Sequence, residues 1–410
     1  MLAGGTAAAH AVTLAALPII TRLFMPDEYG IFVVLMAVLA MWSTLLTLRY
    51  ESAVFVADSE TDIRALLTLC RLLTVAMSLL ALPVLAGLVA YDIAQLASLQ
   101  WPAIVLSVLF LMGTGLFQTR RAFDVRSARL KPVRTATVGR SAGSAATKIA
   151  AGLLGSGSTG LIAGETVGAW LGVWLLGRRQ GQFPKGAVSR SELTAVAAKY
   201  PKFPKLELPS TLIDSASALI VLPLFAQIFG LKEAAFLGLA QRVVALPNTH
   251  IGRAIGDITQ LEIGKKFRER RGAEIESMLR ALVRRLALIG LLPLITIMTL
   301  APFLFGLVFG ADWRESGVVA AVIAPWLYAA FVVSTVSRVL LVVQKQEFKL
   351  AYDTAAILLV FSVFLATLAL KLSFLQSVAL LSARRVCTYA LYLLVIFRAV
   401  RSTYLSEAPT

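Results

Sequence analysis

Charged side chains embedded in long apolar runs carry the only chemistry this sequence advertises. Arg140, Ser144 and Lys148 recur at i, i+4 and i+8 within 135–154, which on a helix stacks them on one face over about 12 Å at roughly 1.5 Å rise per residue. Ser210, Asp214 and Ser217 make a comparable stripe in 208–229, and Glu165 is the lone acid of 160–177. Arg242 lies about eight residues into 234–252, and Arg384-Arg385 sit near the middle of 375–397. Arg71 and Arg338 stand within two turns of the inner ends of their runs, close enough for their heads to reach lipid headgroups. An ionised group at the centre of a bilayer costs about 2.5–3.5 kcal/mol on insertion scales, so the deeper ones need a partner or a polar cavity. Together the apolar runs hold 7 basic and 3 acidic residues. Internal pairing of Asp214 or Glu165 with an arginine cannot cancel that surplus. Guanidinium and ammonium donors so placed suit a ligand that brings negative charge.

No second chemistry competes. His10 and His250 have no Cys, Asp or Glu at ligand spacing, so no metal site is expected, and Cys70 and Cys387 sit inside apolar runs as packing residues. There is no Walker loop, no GxSxG and no Asp-x-Asp, hence no expected catalytic residue, no cofactor and no enzyme. Energy must then come from a coupling ion, H⁺ or Na⁺, with Asp214 and Glu165 as its candidate sites. Of 410 residues, 58% are hydrophobic and 15% charged, more apolar material than a water-soluble domain of this size uses. The chain is read as an integral membrane protein with no room for a soluble catalytic domain.

The elements that must position these charges are twelve apolar spans: 3–21, 30–48, 65–90, 98–118, 135–154, 160–177, 208–229, 234–252, 286–309, 317–343, 351–370 and 375–397. Backbone groups in hydrocarbon must satisfy one another, and continuous runs of this length cannot be barrel strands, so helices are expected. Met1-Leu2-Ala3-Gly4 has no basic flank or cleavage-site pattern, and the first run is expected to stay as a helix rather than leave as a signal peptide. Lys and Arg are retained on the cytoplasmic side during insertion. With both termini cytoplasmic, the inner connections 49–64, 119–134, 178–207, 253–285, 344–350 and 398–410 hold 28 of 39 basic residues against 14 acidic, and the outer ones hold 4 basic and 6 acidic. The net charge of +16 is therefore topology and no nucleic-acid footprint. The inner runs Lys265-Lys266-Phe267-Arg268-Glu269-Arg270-Arg271 and Arg120-Arg121 suit anionic membrane lipids.

An internal repeat orders the spans. Laying 17–28 on 222–233 aligns Leu17 with Leu222, Pro18 with Pro223, Phe24 with Phe229 and Glu28 with Glu233, an offset of half the chain. The expected architecture is all-α: about twelve transmembrane helices in two parallel six-helix lobes related by a pseudo-twofold along the membrane normal. The lobes are placed at 1–180 and 208–410, joined by a basic cytoplasmic linker at 181–207. Pro18 and Pro223 should bend the leading helix of each half at matching places. Gly160, Gly164, Gly168 and Gly172, four residues apart, give one helix a smooth groove for close packing.

Several stretches resemble a known family. Ile20-Thr21-Arg22-Leu23-Phe24-Met25-Pro26-Asp27-Glu28-Tyr29-Gly30, Leu48-Arg49-Tyr50-Glu51, Tyr200-Pro201-Lys202-Phe203-Pro204, Ala240-Gln241-Arg242-Val243-Val244-Ala245-Leu246-Pro247 and Phe309-Gly310-Ala311-Asp312-Trp313 with Ala324-Pro325-Trp326 are similar to the bacterial polysaccharide biosynthesis flippases. These are the O-antigen and exopolysaccharide translocases of the multidrug/oligosaccharidyl-lipid/polysaccharide exporter superfamily. The resemblance implies a two-lobed, multi-pass transporter of the bacterial inner membrane. It would turn an undecaprenyl-diphosphate-linked oligosaccharide from the cytoplasmic to the periplasmic leaflet by alternating access, with a polysaccharide polymerase and export machinery as partners. The stretch from Gln241-Arg242 to Pro247 is also similar to the eighth span of lipid II flippases, which makes Arg242 the first choice for diphosphate contact. Arg22 and Arg49 fit the family's basic positions flanking spans 1 and 2. Arg140, Lys148 and Arg385 complete the expected substrate-binding set. Two alternatives stand beside this reading. A multidrug/cation antiporter of the same superfamily should offer acids to its substrate, whereas this interior is net basic. A lipid-linked glycan polymerase or ligase needs a long outer loop, and no outer connection exceeds about eight residues.

Overall fold

A computed structural model of the chain describes residues 2–178, 186–245, 253–269, 272–337, 339–342 and 346–405. Pro247, His250, Arg270, Arg271 and Arg338, named in the sequence reading, lie outside the described residues. From the N-terminus run α1 (Leu2–Leu23), α2 (Pro26–Ser43), the one-turn α3 (Tyr50–Ala53), α4 (Glu60–Ala90), α5 (Trp101–Arg126), α6 (Leu130–Leu153), α7 (Gly157–Arg178), α8 (Arg190–Lys199), α9 (Leu208–Leu219), α10 (Val221–Phe229) and α11 (Leu231–Val244). They are followed by α12 (Arg253–Arg268), α13 (Gly272–Phe309), α14 (Arg314–Ser337), α15 (Val339–Val342), α16 (Gln346–Ala369) and α17 (Phe374–Leu405). No strand occurs among the described residues, as the expected all-α membrane architecture requires.

Nine helical stretches among the described residues are long and apolar enough to cross a membrane. The three other expected spans are helical where described, and each falls short for a visible reason. Helix α6 carries Arg140 and Lys148, α11 is 14 residues long as described, and the apolar part of α16 is confined to Thr354–Leu370. Some polar ties between helices run through backbone carbonyls. The Trp42 and Trp170 indoles donate to the Met77 and Leu109 carbonyls, each at 3.0 Å, as expected where no water competes for them.

The chain forms two compact units, Met1–Ala235 and Phe236–Thr410. In the first, the internal repeat marks one local structure twice, a helix, a break and a new helix. Helix α1 ends before Phe24, and Glu28 sits in the first turn of α2, where its carboxylate accepts the Met25 N–H at 3.0 Å behind Pro26. Helix α10 ends at Phe229, Gly230 breaks the chain at φ 111°, and Glu233 sits in the first turn of α11. The two breaks abut. A methyl group on Gly30 would lie 2.1 Å from the Leu231 carbonyl oxygen, so only glycine permits the approach.

The glycines of α7 do what their spacing predicts. A Cβ on Gly164 would meet the Ser144 carbonyl at 2.9 Å, and one on Gly168 the Arg140 carbonyl at 2.6 Å. Helix α7 therefore lies backbone to backbone against α6, over the stretch of α6 that holds the charged stripe.

In the second unit, α13 is 38 residues long, about 57 Å at roughly 1.5 Å per residue against about 30 Å of hydrocarbon. Its charged first turns extend past the apolar part. There Glu276 accepts from Arg280 on its own helix and from Arg401 of α17, whose Nε lies 2.8 Å away. An apolar core of Ile275, Leu279, Val333, Val336, Ile396 and Val400 packs α13, α14 and α17 together. Farther along α13, the Tyr328 hydroxyl donates to the Ala287 carbonyl at 3.0 Å, and its ring lies on Gly290. Beside it is an apolar crevice of about 70 Å³ lined by Val244, Ile289, Pro293, Ile297 and Leu327. The Phe309-to-Trp313 stretch is a helix break at Gly310, φ 113°, with Trp313 buried edge-on to Phe236 at 6.1 Å.

Candidate functional site

The stripe on α6 is real and faces α7. Lys148 is 4% exposed, its ammonium pairs with the Glu165 carboxylate of α7, and it lies 4.6 Å from the Phe32 ring centroid. Gly164 makes the room: a methyl there would sit 2.4 Å from Lys148 Cγ. Ser144, also buried, is one turn away. One turn farther, the Arg140 guanidinium donates to the Thr114 hydroxyl at 3.2 Å and lies 5.8 and 5.4 Å from the Phe110 and Phe117 ring centroids. Ring faces hold a cation by their quadrupole without neutralising it. Two cations thus share one carboxylate along this face.

Arg49 is organised differently. It follows Leu48 in a tight turn where both residues are left-handed, φ 48° and 66°, a conformation that side-chain-bearing residues seldom adopt. Its Nη1 donates to Glu51 at 2.9 Å. Nε, at 2.9 Å, and Nη2 both donate to Oε1 of Glu207, and the Ser52 hydroxyl reaches the same oxygen at 2.8 Å. Glu207 closes a five-residue π-helical turn, Phe203–Glu207, that leads into α9. Beside this, α8 is docked on the start of α4. Lys199 pairs with Asp62, Tyr200 donates to the same carboxylate at 3.2 Å, Arg64 lies 3.7 Å from Glu192, and the Tyr50 hydroxyl donates to the Ala197 carbonyl at 3.3 Å. The Asp62 carboxylate holds the Lys199 ammonium above its ordinary pKa, and the Ser189 N–H holds Glu192 below its own.

Arg22, in the last turn of α1, and Asp214, on α9, are exposed. Arg242 is half-buried in the last turn of α11. Arg385 of α17 is 6% exposed and lies 5.5 Å from the Trp326 ring centroid, while its neighbour Arg384 donates to the Ser362 hydroxyl at 2.5 Å. The structure therefore brings together Arg140, Lys148 and Glu165 in the first unit, and sets Arg49 apart with Glu207. Among the described residues no group of acids, histidines or cysteines could hold a metal ion.

Sequence reasoning missed Glu207, which it left in the linker. The available signal was its place three residues after the Tyr200-to-Pro204 motif, at the mouth of an apolar run. It also missed Phe32, Phe110 and Phe117, which look like ordinary core until the cations they face are known.

Residues 19–318 match the family model described as "Polysaccharide biosynthesis protein". No curated protein matches the chain. Among solved structures, an inward-facing multidrug resistance MATE family transporter of the MOP superfamily is 15% identical, with 100% of this chain and 95% of that chain covered at TM-score 0.68. The lipid II flippase MurJ in an inward closed conformation is 13% identical, with 98% and 90% covered at TM-score 0.68. A MOP superfamily transporter from Pyrococcus furiosus, described as having a binding pocket of reverse polarity, is 14% identical, with 100% and 95% covered at TM-score 0.60. At such identities the likeness is one of fold.

Proposed function

Because this chain belongs to the polysaccharide biosynthesis protein family, we propose that it turns an undecaprenyl-diphosphate-linked oligosaccharide from the cytoplasmic to the periplasmic leaflet of the bacterial inner membrane. Family and fold together support a multi-pass membrane transporter of flippase type. One observation carries this reading: Arg140 and Lys148 stand on one face of α6, and among the described residues the carboxylate paired there is Glu165 of α7. A buried region with more cations than carboxylates is completed by an anionic ligand and is poorly suited to a cationic drug.

Transport on this reading involves no covalent step. The polyprenyl tail stays in lipid while arginine and lysine donors replace the water that the diphosphate gives up. Arg242 is the primary contact, and Arg22, Arg49, Arg140, Lys148 and Arg385 supply further positive charge along the route. The lobes alternate between inward and outward access. Glu165 and Asp214 are the proposed coupling groups. A proton on Glu165 would release Lys148 from its pair, and Asp214 is exposed to a passing ion. The product feeds the polymerase and export machinery for surface polysaccharide.

The test is Arg242→Ala in cells, scored for surface glycan and for accumulated lipid-linked repeat units at matched protein level. The expected result is loss of glycan with accumulation of the lipid-linked unit; normal export would remove Arg242 from the site.

A further inference from the structure

The Arg49 turn is built like an anion cradle, and Glu207 occupies it. Three donors, Arg49 Nε, Arg49 Nη2 and the Ser52 hydroxyl, converge on a single oxygen, Oε1. Its second oxygen accepts no hydrogen bond from the described residues. A guanidinium fork with an added hydroxyl, all aimed at one oxygen, is donor geometry that a non-bridging phosphate oxygen satisfies as well as a carboxylate does. The site is open enough for exchange, since the Arg49 and Glu207 side chains are 27% and 33% exposed.

The setting is that of a poised element. Two consecutive left-handed residues, Leu48 and Arg49, aim the guanidinium, and their turn is held by the Tyr50 N–H on the Thr47 carbonyl and the Ser52 N–H on the Arg49 carbonyl, both at 3.0 Å. Rare backbone conformations of this kind persist where the surroundings enforce them and cluster at binding and switch sites. Glu207, opposite, ends a π-helical turn. Relaxing one π turn to α register rotates the following side chain by about 100°, one residue's worth of an α-helix. Glu207 can therefore leave Arg49 without any helix unfolding.

We infer that Arg49 and Ser52 form a diphosphate-binding cradle in which the Glu207 carboxylate is the resident competitor, so that the lipid diphosphate enters by displacing Glu207 and thereby frees the start of α9. The inference rests on the flippase reading and adds to it a site, a competitor and a trigger. Arg49's bond to Glu51 persists through the exchange and keeps the guanidinium in place.

The test uses the full-length protein in lipid nanodiscs, with undecaprenyl diphosphate as ligand and inorganic pyrophosphate as competitor. Glu207→Gln removes the competing charge and should tighten undecaprenyl diphosphate binding by about threefold or more, because a binding-competent state that was only partly populated becomes the resting one. In that variant pyrophosphate should compete with the lipid. Arg49→Ala should abolish the gain, alone and combined with Glu207→Gln. The exchange Arg49→Glu with Glu207→Arg keeps an ion pair at the same place, so it should melt near the wild-type temperature while losing diphosphate binding. If folded Glu207→Gln protein binds no tighter than a wild type that does bind, the cradle is wrong and the flippase reading stands. If the wild type binds no undecaprenyl diphosphate, both fall.

Discussion

Lys148 and Glu165 form an ion pair between α6 and α7, with the lysine side chain 5% exposed and the glutamate 18%. Gly164, one residue before Glu165, leaves the space that the lysine stem fills. Removing one partner of such a pair strands the other charge and typically costs about 3–5 kcal/mol, whereas replacing both by apolar groups is close to neutral. Lys148→Met or Glu165→Leu alone should therefore lower the thermal midpoint of the purified protein strongly, and the double variant should recover most of the loss. Equal melting of all three would mean that the pair is not buried as described.

The packing of α7 on α6 should be equally sensitive. Gly168→Val pushes side-chain atoms against the Arg140 carbonyl and Ser144, an overpacking that costs about 1–3 kcal/mol or more. Gly87→Ala on α4, with open space around it, should leave the melting curve unchanged. Detergent-solubilised yield and thermal unfolding of the two variants side by side measure the difference.

The Arg385–Trp326 contact in the second unit offers a separate test. A desolvated cation–π contact is worth about 2 kcal/mol. A double-mutant cycle with Arg385→Met and Trp326→Leu should return a coupling of that order in thermal stability. A coupling near zero would assign Arg385's position to its other contacts.

Docking of α8 carries a pH signature. Glu192 is held below its ordinary pKa by the Ser189 N–H and hydroxyl, so its contribution is present above the unfolded carboxylate value and is lost as pH falls through the lower folded one. Lys199 is held above its ordinary pKa by Asp62, so its contribution is lost only as pH rises through that raised value. Hydrogen exchange over 193–199, corrected for intrinsic rates, should show firm protection around neutrality and loss at the acidic end. Ser189→Ala should weaken protection at every pH, because it removes a cap and not a charge.

Much of this was legible from residue types alone. The four-residue glycine spacing announced a closely packed helix face, and the stripe of Arg140, Ser144 and Lys148 announced a charged one, because helical periodicity converts spacing directly into direction. The pairing of the charges was not legible. Glu165 was as good a partner for an arginine as for Lys148, and the place of Glu207 just after the Tyr200-to-Pro204 motif does not say that it reaches back to Arg49. Such choices depend on how distant helices are laid side by side. Helix α6 is absent from the nine apolar stretches for a related reason, since the charges that make the helix interesting are those that lower its apolar character.

The brace of Glu276, Arg280 and Arg401 fixes the outlying ends of the two longest described helices of the second unit to one another. That gives imaging a foothold. A small all-helical marker spliced in register onto α17 in place of 406–410 would continue a rod already bolted to its neighbour, and would rise from the micelle at a constant angle instead of swinging. Particles of this all-helical membrane protein would then carry a feature by which they can be aligned.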